Sequence, residues 1–240
     1  MGNIFNHCEN IGQLLLLSSY VTLMLMKLRI GTIYRILLLG YFKKTEVDGP
    51  VLDIGCHNGE ILETISAPVK VGIDIERKHV KDGLNFVQAD ANHLPFKKNL
   101  FSRIYMLDVI EHIEDERNLS SVFYLHLQPS GSFFLSTPSK DILLFPRFLT
   151  GYISKKWGHY YRRGYSKEGL KELFDEEFVL HFTEWNAQWW RFFYLFIRLL
   201  NDISPSLCAK LIHFIFSMDS KKTNGNRGYL ILEGIKKKNG

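Results

Sequence analysis

The chain has 240 residues, 46% of them hydrophobic and 14% aromatic, enough for one large α/β domain with additions or at most two small ones. A formal charge of +5 and a pI near 9.0 are too modest to argue for nucleic acid. The basic clusters at Lys155-Lys156, Arg162-Arg163, Lys221-Lys222 and Lys236-Lys237-Lys238 read first as solvated surface.

Cys8, Cys56 and Cys208 are odd in number and far apart, with neither disulfide nor metal-ligand spacing, so a reducing, cytoplasmic setting is expected. The start, Met1 to Glu9, has no basic n-region of a secretory signal, and Asn6 stands where the myristoylation pattern wants Ser or Thr. Residues 11–40 are strongly apolar. Their uncharged part, Ile11 to Met26, is shorter than the ~20 residues of a spanning helix, and Lys27, Arg29 and Arg35 follow. Residues 1–45 are therefore expected as an apolar helical segment that packs on the main domain, 46–240, or lies in a membrane interface.

After the turn Asp48-Gly49-Pro50 the pattern changes to alternating strand and helix. Val51-Leu52-Asp53-Ile54-Gly55-Cys56-His57-Asn58-Gly59-Glu60 reads as a buried strand, a glycine turn and a helix start, a layout that presents backbone N–H groups to a ligand. A dinucleotide fingerprint would need glycine at His57 and near Glu60, and a P-loop would need a lysine after the turn. The spacing is D-x-G-x-x-x-G. Further strands are expected at residues 69–75, 85–90, 101–109 and 131–136, with helices at 59–67 and around 115–128. The first four strands end in Asp53, Asp74, Asp90 and Asp108. One acid at a strand end is commonly a turn or cap, but four at one sheet edge suit a polar ligand lying across it.

Residues 137–166 are irregular, with Ser166 capping a helix from Lys167. Residues 178–185 read as a sixth strand, with His181 facing its interior side, and 228–235 as a seventh strand at the sheet edge. Between them lies an aromatic insertion, 187–218, of two helices. Arg191 and Arg198 share a narrow face of the first, and Ser206, Lys210, His213 and Ser217 share a stripe of the second. Two readings stay open: an interfacial hairpin on anionic lipid, or a hairpin packed against residues 11–40.

The ordered set Asp53/Gly55/Gly59, Asp74, Asp90-Ala91 and Leu107-Asp108-Val109-Ile110-Glu111-His112-Ile113 resembles class I S-adenosylmethionine-dependent methyltransferases over residues 45–185 and the final strand. The fourth motif has the form common among quinone-biosynthetic and related small-molecule enzymes. One departure is His57, where the family's loop has its middle glycine. The resemblance implies a Rossmann-like, seven-stranded, mostly parallel sheet with helices on both faces and an antiparallel last strand. It also implies S-adenosylmethionine as cofactor, bound through Asp53, Gly55, Cys56, Gly59, Asp74, Ile75, Asp90, Ala91, Leu107 and Asp108. Asp74 would accept from the ribose hydroxyls and Asp90 would meet the adenine edge.

The acceptor is expected to be a small or lipid-like molecule, methylated at oxygen, with His112 the first candidate base and His159 the second. Methylation at carbon or nitrogen, a sugar or peptide acceptor, and a non-catalytic membrane-docking module on this scaffold are the alternatives. Arg162 or Arg163 could pair with an anionic substrate group, and Glu111 with His112 could contact a divalent ion, although no resident metal is expected.

Overall fold

In the computed structural model, which describes residues 28–76, 83–159, 161–221, 225 and 227–238, the apolar run before the first strand closes as helix α1 (Ile30–Tyr41). Ile33, Tyr34, Leu37 and Leu38 recur at helical spacing and are buried. Expectations for residues 11–27 lie outside the described residues. Strand β1 (Val51–Ile54) follows, buried at every position, then the short helix α2 (Glu60–Glu63), β2 (Lys70–Asp74), β3 (Asn85–Gln88) and β4 (Phe101–Leu107). Helix α3 (Leu119–His126) runs into β5 (Leu127–Pro138). Helices α4 (Thr150–Lys156) and α5 (Lys167–Phe174) precede β6 (Phe178–Trp185). The hairpin α6 (Gln188–Ile203) and α7 (Pro205–Asp219) precedes β7 (Tyr229–Lys236).

The strands form one sheet in the order β3-β2-β1-β4-β5-β7-β6. β1 to β5 pair in parallel, and β7 runs antiparallel to both β5 and β6. The seventh strand is therefore not at the edge, as expected, but inserted next to last, with β6 outermost. Burial accounts for the exchange. Tyr229 to Leu232 are buried, whereas β6 is buried only at its ends, Phe178 and Trp185, and half-buried or exposed between them. Gly234 also allows β7 to sit against the core, since a Cβ there would meet Phe133 Cε1 at 2.1 Å. His181, expected on the interior side, faces solvent on this outer strand.

Two hydrophobic cores cover the sheet. One face holds α3 and α5, with Phe123, Phe133, Phe174 and Phe178 in mutual contact. The other holds α1, α6 and α7, where the Tyr34 ring lies 4.5 Å from that of Trp190 and 5.2 Å from that of Phe216. The described end of the apolar N-terminal segment is thus built into the domain core and packs on the hairpin. Asp219 fastens this corner. Its carboxylate accepts from Tyr34 Oη at 2.9 Å and from the N–H groups of Trp189 and Trp190 at 2.8 and 3.1 Å. Among the described residues, no helix is long and apolar enough to cross a membrane.

Candidate active site

The strand order reverses between β1 and β4, which opens a crevice at their carboxyl ends. The loop after β1 bends sharply there. Gly55, His57 and Gly59 have φ of 73°, 50° and 82°. Gly55 is required twice over, because a Cβ would also meet Val109 Cγ2 at 2.4 Å. His57 takes the left-handed conformation that histidine tolerates better than most side chains. Its N–H donates to Asp74 Oδ2 at 3.1 Å, so the end of β2 ties down the loop.

A cavity of about 1020 Å³ fills the crevice. Of the residues expected at the cofactor, Gly55, Asp74, Ile75, Asp90, Ala91 and Asp108 line it, and Asp53, Cys56, Gly59 and Leu107 do not. Asp74 keeps spare lone pairs beyond those that accept from His57 and from the N–H of Glu76. Ile75, 70% exposed, offers an apolar shelf beside it, and Ala89, Ala91, Val109 and Ile113 continue the wall toward Asp90 and Asn92. A carboxylate for a diol, an apolar slot and a polar far edge are the donor set that a ribose and adenine need.

Asp53 was expected at the exit of its strand, but it lies inside β1, 2% exposed, with Oδ2 unpartnered. Burial pushes its carboxyl up to about 8, against a partial pull downward from Arg35. Asp108, one residue beyond β4, has φ of 54° and is held from two sides. Ser136 Oγ donates to its Oδ1 at 2.8 Å, and Arg35 Nε lies 3.2 Å from its Oδ2. Arg35 also donates to the Leu107 carbonyl at 3.3 Å. The helix before the sheet thus puts a guanidinium beside the Asp108 carboxylate in the cavity lining and ties it to the backbone at the end of β4. This pair suits the zwitterionic end of an amino-acid-like ligand.

The other pole is built on the 3-10 turn Ile110–His112. Glu111 is fully buried. Thr137 Oγ1 donates to its Oε2 at 3.0 Å, while Oε1 has no hydrogen-bond partner and lies 3.7 Å from His159 Nε2. Desolvation, then the charge of Asp108, raises the Glu111 pKa; desolvation and His112 lower that of His159 to about 4. Both shifts favour the uncharged forms, a protonated carboxyl and a neutral imidazole. The His112 ring stands edge-on to that of His159 at 5.0 Å, and His112 Nδ1 is 3.1 Å from the Gly158 carbonyl. A carbonyl only accepts, so Nδ1 carries the proton and Nε2 keeps a free lone pair. Ligand atoms of Glu111, His112 and His159 lie within 4.8 Å of one another, a donor set that could also hold a divalent ion.

The cavity is also walled by Trp157, Trp190, Tyr194 and Tyr229, with Arg198, Asn201 and Asp202 adding polar groups to the lining. Trp157 Nε1 donates to Tyr194 Oη at 2.6 Å, which locks α6 to the end of α4. Two expected substrate arginines stand elsewhere. Arg162 pairs with Glu116 and donates to Tyr165 Oη and the Glu114 carbonyl. Arg163 opens onto a separate hollow with Lys140 and Arg227. Arg191, expected beside Arg198 on a free face, is instead consumed by Asn186 and the Leu143 carbonyl. The sequence reading missed Arg35, Trp190, Tyr194 and Arg198 as site residues. A lone cation inside an apolar helix was the available signal for Arg35, and the aromatic density of the insertion for the others.

Comparison with known proteins agrees with this fold. A family model described as a methyltransferase domain matches residues 29–194, more than half of the chain. The chain is 29% identical over 126 residues to the ubiquinone/menaquinone biosynthesis C-methyltransferase UbiE of Wigglesworthia glossinidia brevipalpis, covering 45% of this chain and half of that enzyme's length. In fold it resembles phosphoethanolamine N-methyltransferase 2 of Haemonchus contortus, solved with S-adenosyl-L-methionine, at TM-score 0.61 and 17% identity over 85% of this chain and 52% of that one. It likewise resembles a SAM-dependent methyltransferase from Archaeoglobus fulgidus, at TM-score 0.56 and 18% identity over 87% and 95% of the two chains. The chain therefore belongs to the methyltransferase-domain family and has the class I, S-adenosylmethionine-dependent methyltransferase fold.

Proposed function

We propose that this protein transfers a methyl group from S-adenosylmethionine to an oxygen of a small, lipid-like acceptor. The observation that carries the reading is a single cavity joining the Asp74/Asp90 pole to the His112/His159 pole. When bound, the cofactor supplies a sulfonium-activated methyl group, an electrophile that needs little beyond alignment with its acceptor. Asp74, Asp90 and the loop at Gly55 hold and orient it, and Arg35 with Asp108 grips its amino-acid end. Trp157, Trp190 and Tyr194 exclude water from the acceptor side. His112, with Nδ1 committed to the Gly158 carbonyl, offers Nε2 to the proton of an acceptor hydroxyl. His159, held 3.7 Å from the buried Glu111 carboxyl, keeps its ring against that of His112.

Carbon or nitrogen as acceptor atom is the second reading, favoured by the names of the C- and N-methyltransferases that the chain resembles. Isothermal titration with S-adenosylhomocysteine tests the cofactor, and absence of binding at millimolar ligand removes the proposal. Loss of the base-dependent limb of the pH–rate profile in His112→Gln supports oxygen, and an unchanged profile supports carbon or nitrogen. A cytoplasmic, membrane-associated location goes with a lipid-like acceptor.

A further inference from the structure

The inner side of α6 lines the cavity, but its outer side is apolar and uncovered among the described residues. Trp189, Phe192, Phe196, Leu199 and Ile203 recur at three- and four-residue intervals, and each is 38% to 81% exposed. The stripe is about 21 Å long at 1.5 Å per residue. The segment before α4 extends it sideways. Phe145 stacks on Phe192 at 4.7 Å, and Phe148, 83% exposed, and Tyr152 follow. An apolar surface of this extent on a folded domain marks an interaction site.

Charge identifies the occupant. The exposed charged side chains of residues 142–156 and 187–221 are Arg147, Lys155, Lys156, Arg198, Lys210 and Lys221, against one acid, Asp202. The remaining acid of these segments, Asp219, is buried. A broad aromatic stripe with a cationic fringe matches the interface of an anionic bilayer, where apolar groups sink below the headgroups and cations pair with phosphates. Nothing in this fringe suits a second copy of the same cationic face.

The stripe also adjoins the cavity. On α6, Tyr194, Arg198 and Asp202 line the cavity, and at about 100° per residue Asp202 stands about 60° around the helix from Leu199, so the edge of the stripe borders the lining. We infer that this face seats the protein on an anionic membrane with the cavity mouth against the lipid, so that the acceptor is a bilayer-resident amphiphile entering from the membrane. The acceptor class rests on the methyltransferase reading above; the docking face does not.

Flotation of the full chain with vesicles of phosphatidylcholine, with and without phosphatidylglycerol, tests it. The protein rises with the anionic vesicles, and Phe196→Asp with Leu199→Asp lowers the bound fraction at least tenfold while S-adenosylhomocysteine affinity is unchanged. Lys155→Gln and Lys156→Gln each weaken anionic-vesicle binding about fivefold. Failure of the wild-type chain to float overturns the proposal, as does flotation that survives the double aspartate variant. A concentration-dependent dimer abolished by the same variant, with no flotation, assigns the face to a second copy and overturns it too. Flotation without S-adenosylhomocysteine binding keeps the docking face and removes the acceptor class.

Discussion

Asp219 is the residue whose loss tests the architecture of the acceptor side most directly. Ala187, at the N-cap of α6, has no side-chain acceptor, so the first turn of that helix borrows one from the far end of α7. Asp219→Ala deletes three hydrogen bonds to a carboxylate and leaves the Trp189 and Trp190 N–H groups and Tyr34 Oη without their acceptor. Each stranded buried donor costs about 1–3 kcal/mol. Against this, removal of the acid relieves the burial that raises its pKa, and Tyr34 Oη still accepts from Trp185 Nε1. The net destabilisation is roughly 3 kcal/mol, read from urea unfolding followed by circular dichroism. Tyr34→Phe alone costs about 1–3 kcal/mol, because it also strands the buried Trp185 Nε1–H, and the two losses are less than additive because they share one bond. In assays, Asp219→Ala raises KM for the acceptor more than it weakens S-adenosylhomocysteine, because α6 carries Trp190 and Tyr194 while Asp74 and Asp90 stand at the opposite pole. A loss below about 1 kcal/mol would refute the view that a remote carboxylate caps α6.

Replacing Asp74 by Ala removes the acceptor for a diol and for the His57 N–H, and weakens S-adenosylhomocysteine by at least ~1 kcal/mol in a calorimetric titration; equal affinity would place the ribose elsewhere. Gly55→Ala forces a side chain into a left-handed turn and against Val109, and both thermal stability and cofactor affinity fall; wild-type values for both would contradict the tight approach. Asp53 gives a pH signature. Its folded pKa, about 8, lies above the ordinary 3.8, so the folded state favours the proton; that stabilisation is complete below about pH 4 and is lost as pH rises toward 8. Asp53→Asn cannot ionise, so its melting temperature gains on wild type steadily between about pH 5 and pH 8, and parallel curves would show that Asp53 is already charged in the fold.

The ends of β2 and β4 were legible because an acid closing an apolar run marks where a buried strand leaves the core. Asp74 and Asp108 both face the cavity. Asp53 carried the same local signal with the opposite outcome. In a four-residue strand buried at every position, the acid sits one residue short of the exit, and only the register reveals this. The start of β5 was hidden by Gln128-Pro129-Ser130-Gly131, which reads as a turn. The strand nevertheless begins at Leu127, opposite Phe101, and the pairing shifts register before resuming at Ser132. The place of β7 depends on which strand edge is free once the others have paired, and local periodicity does not encode that. Glu111 was visible as a candidate ligand, but its complete burial comes from Thr137 and His159, 26 and 48 residues away.

Adjacent side chains of α1 join the two halves of the site. Arg35 reaches Asp108 in the cavity lining and the Leu107 carbonyl at the end of β4, while Tyr34, its neighbour in sequence, reaches Asp219 and packs on Trp190. On a helix, successive residues point about 100° apart, so one short element can face both the strand ends and the hairpin. This explains why an apolar segment outside the alternating strand–helix pattern is needed by the site at all. It supplies a charge that the sheet edge lacks, and it fixes the hairpin whose inner face walls the acceptor. Displacement of the hairpin would therefore act through Tyr34 on the backbone that holds Arg35, one residue from the Asp108 contact. The methyl-donor pole and the acceptor wall are thus mechanically one unit, although Asp74 and Trp190 stand more than 100 residues apart in the chain.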